Sequence, residues 1–183
     1  MSSLRPFSWL SHSAQKRAFW IALGLTIAVL AGMNIVGGPL NTPAAPAAII
    51  SFEFAGSIAV ASEMINSWGE KGAVLAAISL GIDYLFLVAY SIAISLGCVL
   101  IAGAVYNNAR AAARVGIVLA WAQFAAATLD AVENYALIRV VLGSTADLWP
   151  ALARACAIPK FAIVGLGLLY LIVGLVLTIR YRK

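Results

Sequence analysis

Residues 73–106 read AVLAAISLGIDYLFLVAYSIAISLGCVLIAGAVY, an almost unbroken apolar run in which Asp83 is the only charged residue. A helix needs about 20 predominantly apolar residues to cross the hydrocarbon core of a bilayer. This run is longer than that requirement, so we expect its first turns to stand in the outer membrane interface. The stretch therefore predicts a membrane-spanning helix.

The whole chain shares this apolar character. Of its 183 residues 63% are hydrophobic and 10% are charged, whereas soluble domains carry roughly 25% charged residues. The alternating pattern of an outer-membrane barrel is absent, so we predict an all-α integral membrane protein surrounded by membrane lipids. The net charge of +5 does not indicate a nucleic-acid partner, because the basic residues cluster at the ends of the apolar segments and are typical of topology determinants.

The predicted organisation is a cytoplasmic basic tail, residues 1–17, followed by a single transmembrane domain, residues 18–183. Four spans are expected, at about 18–36, 73–106, 115–142 and 151–178. The connections between the last three spans are short. Short connections are typical of antiparallel neighbours, so the sequence predicts an antiparallel four-helix bundle.

Residues 47–68 are apolar enough to suggest a fifth span, but they carry Glu53 and Glu63. With four spans and a cytoplasmic N-terminus, both basic termini and the loop with Arg110 and Arg114 fall inside the cell, as the positive-inside rule requires. With five spans that loop and the C-terminus would lie outside. We therefore expect 47–68 to be an outer interfacial segment of one or two short helices that ends at Trp68-Gly69. The predicted location is the inner (plasma) membrane, multi-pass, with both termini cytoplasmic.

The third span contains the sequence LDAVENY at 129–135, with two carboxylates and an amide in about one turn. Polar groups at that depth are costly and need a partner or a function. Under this topology all seven acidic residues fall in the outer half of the predicted bundle, and helical rise places Asp83 and Asp130 in the outer leaflet or at its edge. The resulting prediction is an outward-facing ligand-binding pocket with a contribution from the outer segment. Its predicted residues are Asp83, Tyr84, Asp130, Glu133, Asn134, Lys160 and Glu53.

Lys160 is expected to point into the bundle, because it shares a helical stripe with Cys156, Gly167 and Gly174, and small residues mark packed faces. A purely structural alternative is an ion pair between Lys160 and Asp130 or Glu133 that only holds helices together. Three carboxylates facing one lysine mildly favour a ligand, since an unpaired carboxylate at depth takes up a proton or binds a cation or water.

No motif indicates a metal ion or a cofactor. His12 is the only histidine, and the chain has no CxxC, HExxH, GxSxG or glycine-rich phosphate loop. A divalent ion on Asp83, Asp130, Glu133 and Glu53 is chemically reasonable, but no spacing signature supports it. Cys98 and Cys156 fall at different depths, so we expect two free thiols.

Three functions fit this pattern. The favoured one is binding or transport of a small cation, proton, amine or lipid head group, with a homo-oligomer for transport because four helices are few for alternating access. The second is an integral membrane enzyme acting on a lipid or apolar substrate, with Asp130 or Glu133 as general acid or base and Tyr84 and Lys160 in supporting roles. The third is a structural or accessory subunit of a membrane complex.

Overall fold

The computed structural model describes residues 5–181, with side chains as far as residue 179. Helix makes up 83% of the structure, and no β-strand forms within the described residues. The first helix, α1, is His12–Gly37. It begins after Ser11, whose Oγ accepts a hydrogen bond from the backbone N–H of Ala14 at 3.3 Å. A 3-10 turn, Gly38–Leu40, follows α1 directly.

The segment after this turn contains two short helical stretches, as predicted: α2, Ile49–Glu53, and the part of α3, Ile58–Val105, that precedes Gly69. Gly69 interrupts α3 with φ 66° and ψ −175°, a conformation that glycine adopts far more readily than other residues. Residues 58–68 and 70–105 are therefore separate helical stretches, and the prediction that the first ends at Trp68-Gly69 is confirmed.

The last two helices are α4, Arg110–Val141, and α5, Leu148–Tyr181. Among the described residues, four helical segments are long and apolar enough to cross a membrane: His12–Leu40, Ile58–Val105, Arg110–Val141 and Leu148–Ile179. The four predicted spans fall on these segments. The chain thus has the helices of a multi-pass membrane protein.

The helices divide into two compact units. Unit 1 consists of Met1–Thr26, Val88–Ala127 and Lys160–Lys183, and unit 2 of Ile27–Leu87 and Thr128–Pro159. In the sequence, unit 2 holds all seven acidic and three basic residues, a net formal charge of −4. Unit 1 holds the other nine basic residues and no acidic one, a net charge of +9. The charges are therefore strongly segregated.

The hydrophobic core of unit 2 forms around Trp68 and Phe52, whose rings meet edge-on with centroids 5.2 Å apart. The Trp68 Nε1–H donates a hydrogen bond to the backbone oxygen of Leu40 at 2.8 Å. Leu137 of α4 and Ala153 of α5 belong to the same cluster. Residues 47–68, predicted as an interfacial segment, thus pack against the other helices of unit 2.

Unit 1 is held together by close approaches at glycine. The phenol of Tyr170 on α5 lies so close to Gly116 on α4 that a Cβ there would overlap it. A Cβ on Gly167 would lie 2.6 Å from Nε2 of Gln123. Glycine commonly permits such contacts between membrane helices, so these positions fix how α4 and α5 pack.

Candidate functional site

Unit 2 buries six polar side chains. Each of them is at most 7% exposed. They are Glu53, Ser79, Asp83, Asp130, Glu133 and Asn134. Moving an ionised group from water into an apolar interior costs a large amount of free energy unless the group is hydrogen-bonded or neutralised. This polar interior is the candidate site.

One hydrogen bond joins the two helices that carry most of these residues. The Asn134 side-chain Nδ2 on α4 donates to Oδ2 of Asp83 on α3 at 2.6 Å. The other side-chain atom of Asn134, Oδ1, is buried and has no hydrogen-bond partner among the described residues. The amide therefore orients the Asp83 carboxylate and leaves an acceptor oxygen beside it.

Tyr84 makes a second link between α3 and α4. Its hydroxyl donates to the backbone oxygen of Ala131 at 3.0 Å, and Tyr84 is within electrostatic range of Asp83 and Asp130. Tyr84 is 37% exposed, unlike the buried residues around it. The structure thus brings Asp83, Tyr84, Asp130 and Asn134 together.

Glu133 and Glu53 complete the buried carboxylates of unit 2. Glu133 is fully buried on α4, directly before Asn134 in the chain. Glu53 is 6% exposed and is the last residue of α2. It is held in the unit by its neighbour Phe52, which is part of the hydrophobic core.

Lys160, the remaining predicted pocket residue, belongs to unit 1. It follows Pro159 within α5 and is 5% exposed, so its side chain is buried. Its Nζ lies 4.6 Å from the centroid of the Phe161 ring, close enough for a cation–π interaction. Its place in a pocket with the carboxylates stays a prediction.

The basic residues of unit 2 are on its surface. Lys71, Arg139 and Arg154 are all exposed. Arg139 stacks on the ring of Trp149, with 5.2 Å from Cζ to the centroid, and Arg154 lies across the backbone of Gly56. Among residues 5–179 the buried charged groups are therefore four carboxylates and one amine, that of Lys160.

Sequence reasoning missed two polar residues of unit 2. Ser79 is 1% exposed and lies one helical turn before Asp83, a spacing that could have predicted it. Asp147, just before α5, accepts a hydrogen bond through Oδ1 from the backbone N–H of Ile58, the first residue of α3, at 2.7 Å. No local pattern signals this contact, because the two residues are 89 positions apart.

Chemically, the site is rich in hydrogen-bond acceptors. Ionised carboxylates only accept hydrogen bonds, and Asn134 Oδ1 adds another acceptor. Within the described part of the chain, no three His, Cys, Asp or Glu side chains come together in a group that could hold a metal ion. Comparison with protein-family models, curated proteins and solved structures yields no match.

Proposed function

We propose that this chain is a multi-pass membrane protein that binds a proton or a small cation, such as a protonated amine, at the buried carboxylates of unit 2. The observation that carries this proposal is the imbalance of buried charge. Within the part of the chain whose side chains are described, four carboxylates are buried, compared with a single amine, that of Lys160.

The imbalance matters because buried charge is expensive in an apolar surrounding. An isolated carboxylate in such a place becomes neutral by taking up a proton, or stays charged beside a cation. A single lysine can balance the charge of one carboxylate, wherever it lies. We propose that bound protons or a bound cation supply part of the balancing charge, together with the contacts that these carboxylates make within the protein.

The roles of the residues follow from their donors and acceptors. Asp130 and Glu133 present carboxylates from α4, and Asn134 holds the carboxylate of Asp83 in position. Tyr84 ties α3 to α4 through the Ala131 carbonyl. Because the groups are mainly acceptors, the fitting ligand donates hydrogen bonds and is positively charged. Glu53 remains a proposed member of the same pocket.

The charge distribution supports a topology for this function. Lys16, Arg17, Arg110 and Arg114 lie at or near the starts of α1 and α4, and the C-terminus of the chain is also basic. Basic residues at helix ends favour the cytoplasmic side. We propose an antiparallel bundle in the inner (plasma) membrane with both termini in the cytoplasm. Transport by so small a bundle would require a homo-oligomer.

Infrared difference spectroscopy on the purified protein in nanodiscs tests the proposal. The protonated-carboxyl band is followed as a function of pH, with and without ethylamine at constant pH. We expect part of this band to persist at neutral pH and to weaken in Asp130→Asn or Glu133→Gln, because each substitution removes one of the buried carboxyl groups. Loss of the band on addition of ethylamine would identify the amine, and an unchanged band the proton alone.

Glu63→Gln is the matched control, because Glu63 is an exposed carboxylate of the same unit. It should leave the neutral-pH band unchanged. If no protonated carboxyl is present at neutral pH and ethylamine neither binds nor stabilises the protein, the buried carboxylates are only structural and the proposal is wrong.

A further inference from the structure

Three buried polar atoms of unit 1 have no hydrogen-bond partner among the described residues. They are Oγ of Ser95 on α3, Oε1 of Gln123 on α4 and the hydroxyl oxygen of Tyr170 on α5. Ser95 and Gln123 are fully buried. Burying a polar group without a hydrogen bond is costly, so such atoms are normally bonded either to protein or to ordered water.

Other hydroxyl groups of the same helices bond to their own helix. The Thr178 hydroxyl donates to the backbone oxygen of Gly174 at 2.8 Å. The Ser91 hydroxyl donates to the backbone oxygen of Val88 at 3.2 Å. Bonds of this kind are the usual way for serine and threonine to be satisfied within a helix. Ser95 lies one turn after Ser91 on α3 and makes no such bond, so its hydroxyl can bond to another molecule.

Ser95 and Gln123 lie where α3, α4 and α5 meet. The side-chain Nε2 of Gln123 donates to the backbone oxygen of Ile163 at 3.3 Å, which holds the amide between α4 and α5. A Cβ on Gly167 of α5 would lie 2.6 Å from this Nε2 and 2.8 Å from Cγ2 of Ile94. Ile94 directly precedes Ser95, so the Gln123 amide and this turn of α3 pack at the same glycine.

Tyr170 brings the third atom to the same part of unit 1. It lies one turn after Gly167 on α5, and its phenol occupies the space that a Cβ on Gly116 of α4 would need. The phenol is also within electrostatic range of Cys98, one turn after Ser95 on α3. The hydroxyl of Tyr170 is therefore enclosed by the same three helices.

The chemistry of the three atoms selects a neutral ligand. Hydroxyl groups donate and accept hydrogen bonds, whereas an amide oxygen only accepts, so the ligand must both donate and accept. Unit 1 carries a net charge of +9 and no acidic residue, so it offers nothing to balance a bound cation. Gln123 lies about 20 Å along α4 from the first residue of the helix, deep in a segment apolar enough to cross a membrane.

From these observations we propose that unit 1 is a binding site for water, held among α3, α4 and α5 by Ser95, Gln123 and Tyr170. A buried water molecule typically makes about three hydrogen bonds to buried groups that otherwise lack a partner. The site supplies the missing partners of these side chains within the spanning part of the helices. It is independent of the carboxylates of unit 2 and of the function proposed for them.

X-ray radiolytic footprinting of the protein in nanodiscs tests the proposal. Radiolysis of bound water produces hydroxyl radicals that oxidise adjacent aromatic rings, and mass spectrometry measures the rate at each residue. We expect Tyr170 to be oxidised although its hydroxyl is buried. Ser95→Ala should lower this rate severalfold, because the water loses one of its partners. The exposed Tyr135 of unit 2 is the dose standard.

Ser91→Ala is the matched control, since it removes a hydroxyl of the same helix that is already bonded to Val88. It should leave the oxidation of Tyr170 unchanged. Circular dichroism checks folding, and Gln123→Met replaces Ser95→Ala if the latter does not fold.

Thermal unfolding gives a second readout for Ser95→Ala. Loss of a bond to water lowers the unfolding temperature, whereas removal of a buried hydroxyl that has no partner raises it. We expect a lower temperature. An unchanged or higher one would overturn the proposal, as would the absence of Tyr170 oxidation in the wild-type protein or equal oxidation rates in the two serine variants.

Discussion

The hydrogen bond between Asn134 and Asp83 gives a quantitative test of the site. It joins α4 to α3 at 2.6 Å, with Asn134 fully buried and Asp83 7% exposed. Its strength depends on whether the Asp83 carboxylate is ionised. A double-mutant cycle with Asp83→Ala, Asn134→Ala and the double variant isolates the pairwise free energy.

The expected coupling follows from the type of acceptor. Hydrogen bonds between neutral side chains of membrane helices average about 0.6 kcal/mol in such cycles. Bonds to a charged group contribute about 1.5–3 kcal/mol. In the proposed function, protons or a cation neutralise buried carboxylates. If Asp83 holds a proton at neutral pH, we expect a coupling free energy of about 0.6 kcal/mol between Asp83 and Asn134. The coupling should rise to at least about 1.5 kcal/mol where Asp83 is ionised.

The free energies of unfolding are measured by equilibrium denaturation in mixed micelles at several pH values. A coupling below about 0.2 kcal/mol at every pH, well under the membrane average, would show that the two side chains do not interact, and the geometry of the site would be wrong. Tyr84→Phe is a useful comparison. It removes a bond to a carbonyl that the helix already uses, so its effect should not vary with pH in the same way.

Three further predictions concern the fold. Gly116→Ala should destabilise unit 1 by about 1–3 kcal/mol, because its Cβ would overlap the Tyr170 phenol; Gly103→Ala, with no atom within 4 Å of the new Cβ, is the control in thermal unfolding. Gly69→Ala should cost about 1–3 kcal/mol because its φ of 66° and ψ of −175° are a combination that essentially only glycine adopts, and a denaturation midpoint equal to that of the Gly103 variant would contradict this. Trp68→Phe should lower stability by about 1 kcal/mol through loss of its buried hydrogen bond to the 3-10 turn, measured as a lower unfolding temperature.

The sequence alone was sufficient to predict the helices, and the reason is specific to membranes. In hydrocarbon every backbone N–H and C=O must be bonded within the segment, so a long apolar run is restricted to a helix. This is why the four spans fall on four described helices. The helical break was also predictable, since Gly69 follows an amphipathic stretch and glycine readily takes the positive φ found there.

The sequence also located the polar residues of unit 2 but not their partners. Helical spacing predicts which side chains share a face of one helix. It contains no information on the rotation of one helix against the next. Only the packed structure decided that Asn134 donates to Asp83, that Tyr84 reaches the Ala131 carbonyl, and that Asp147 bonds to the start of α3.

Trp68 shows most clearly the difference between what the sequence predicts and what the packed structure decides. An aromatic residue at the end of an apolar segment is typical of a membrane interface, yet Trp68 is 8% exposed and belongs to the core of unit 2. Its burial depends on Phe52 and on the backbone of Leu40, which tertiary folding brings to it. Hydropathy and backbone hydrogen bonding thus determined the elements of this protein. The contacts between elements, which create the polar interior, were decided by close packing in three dimensions.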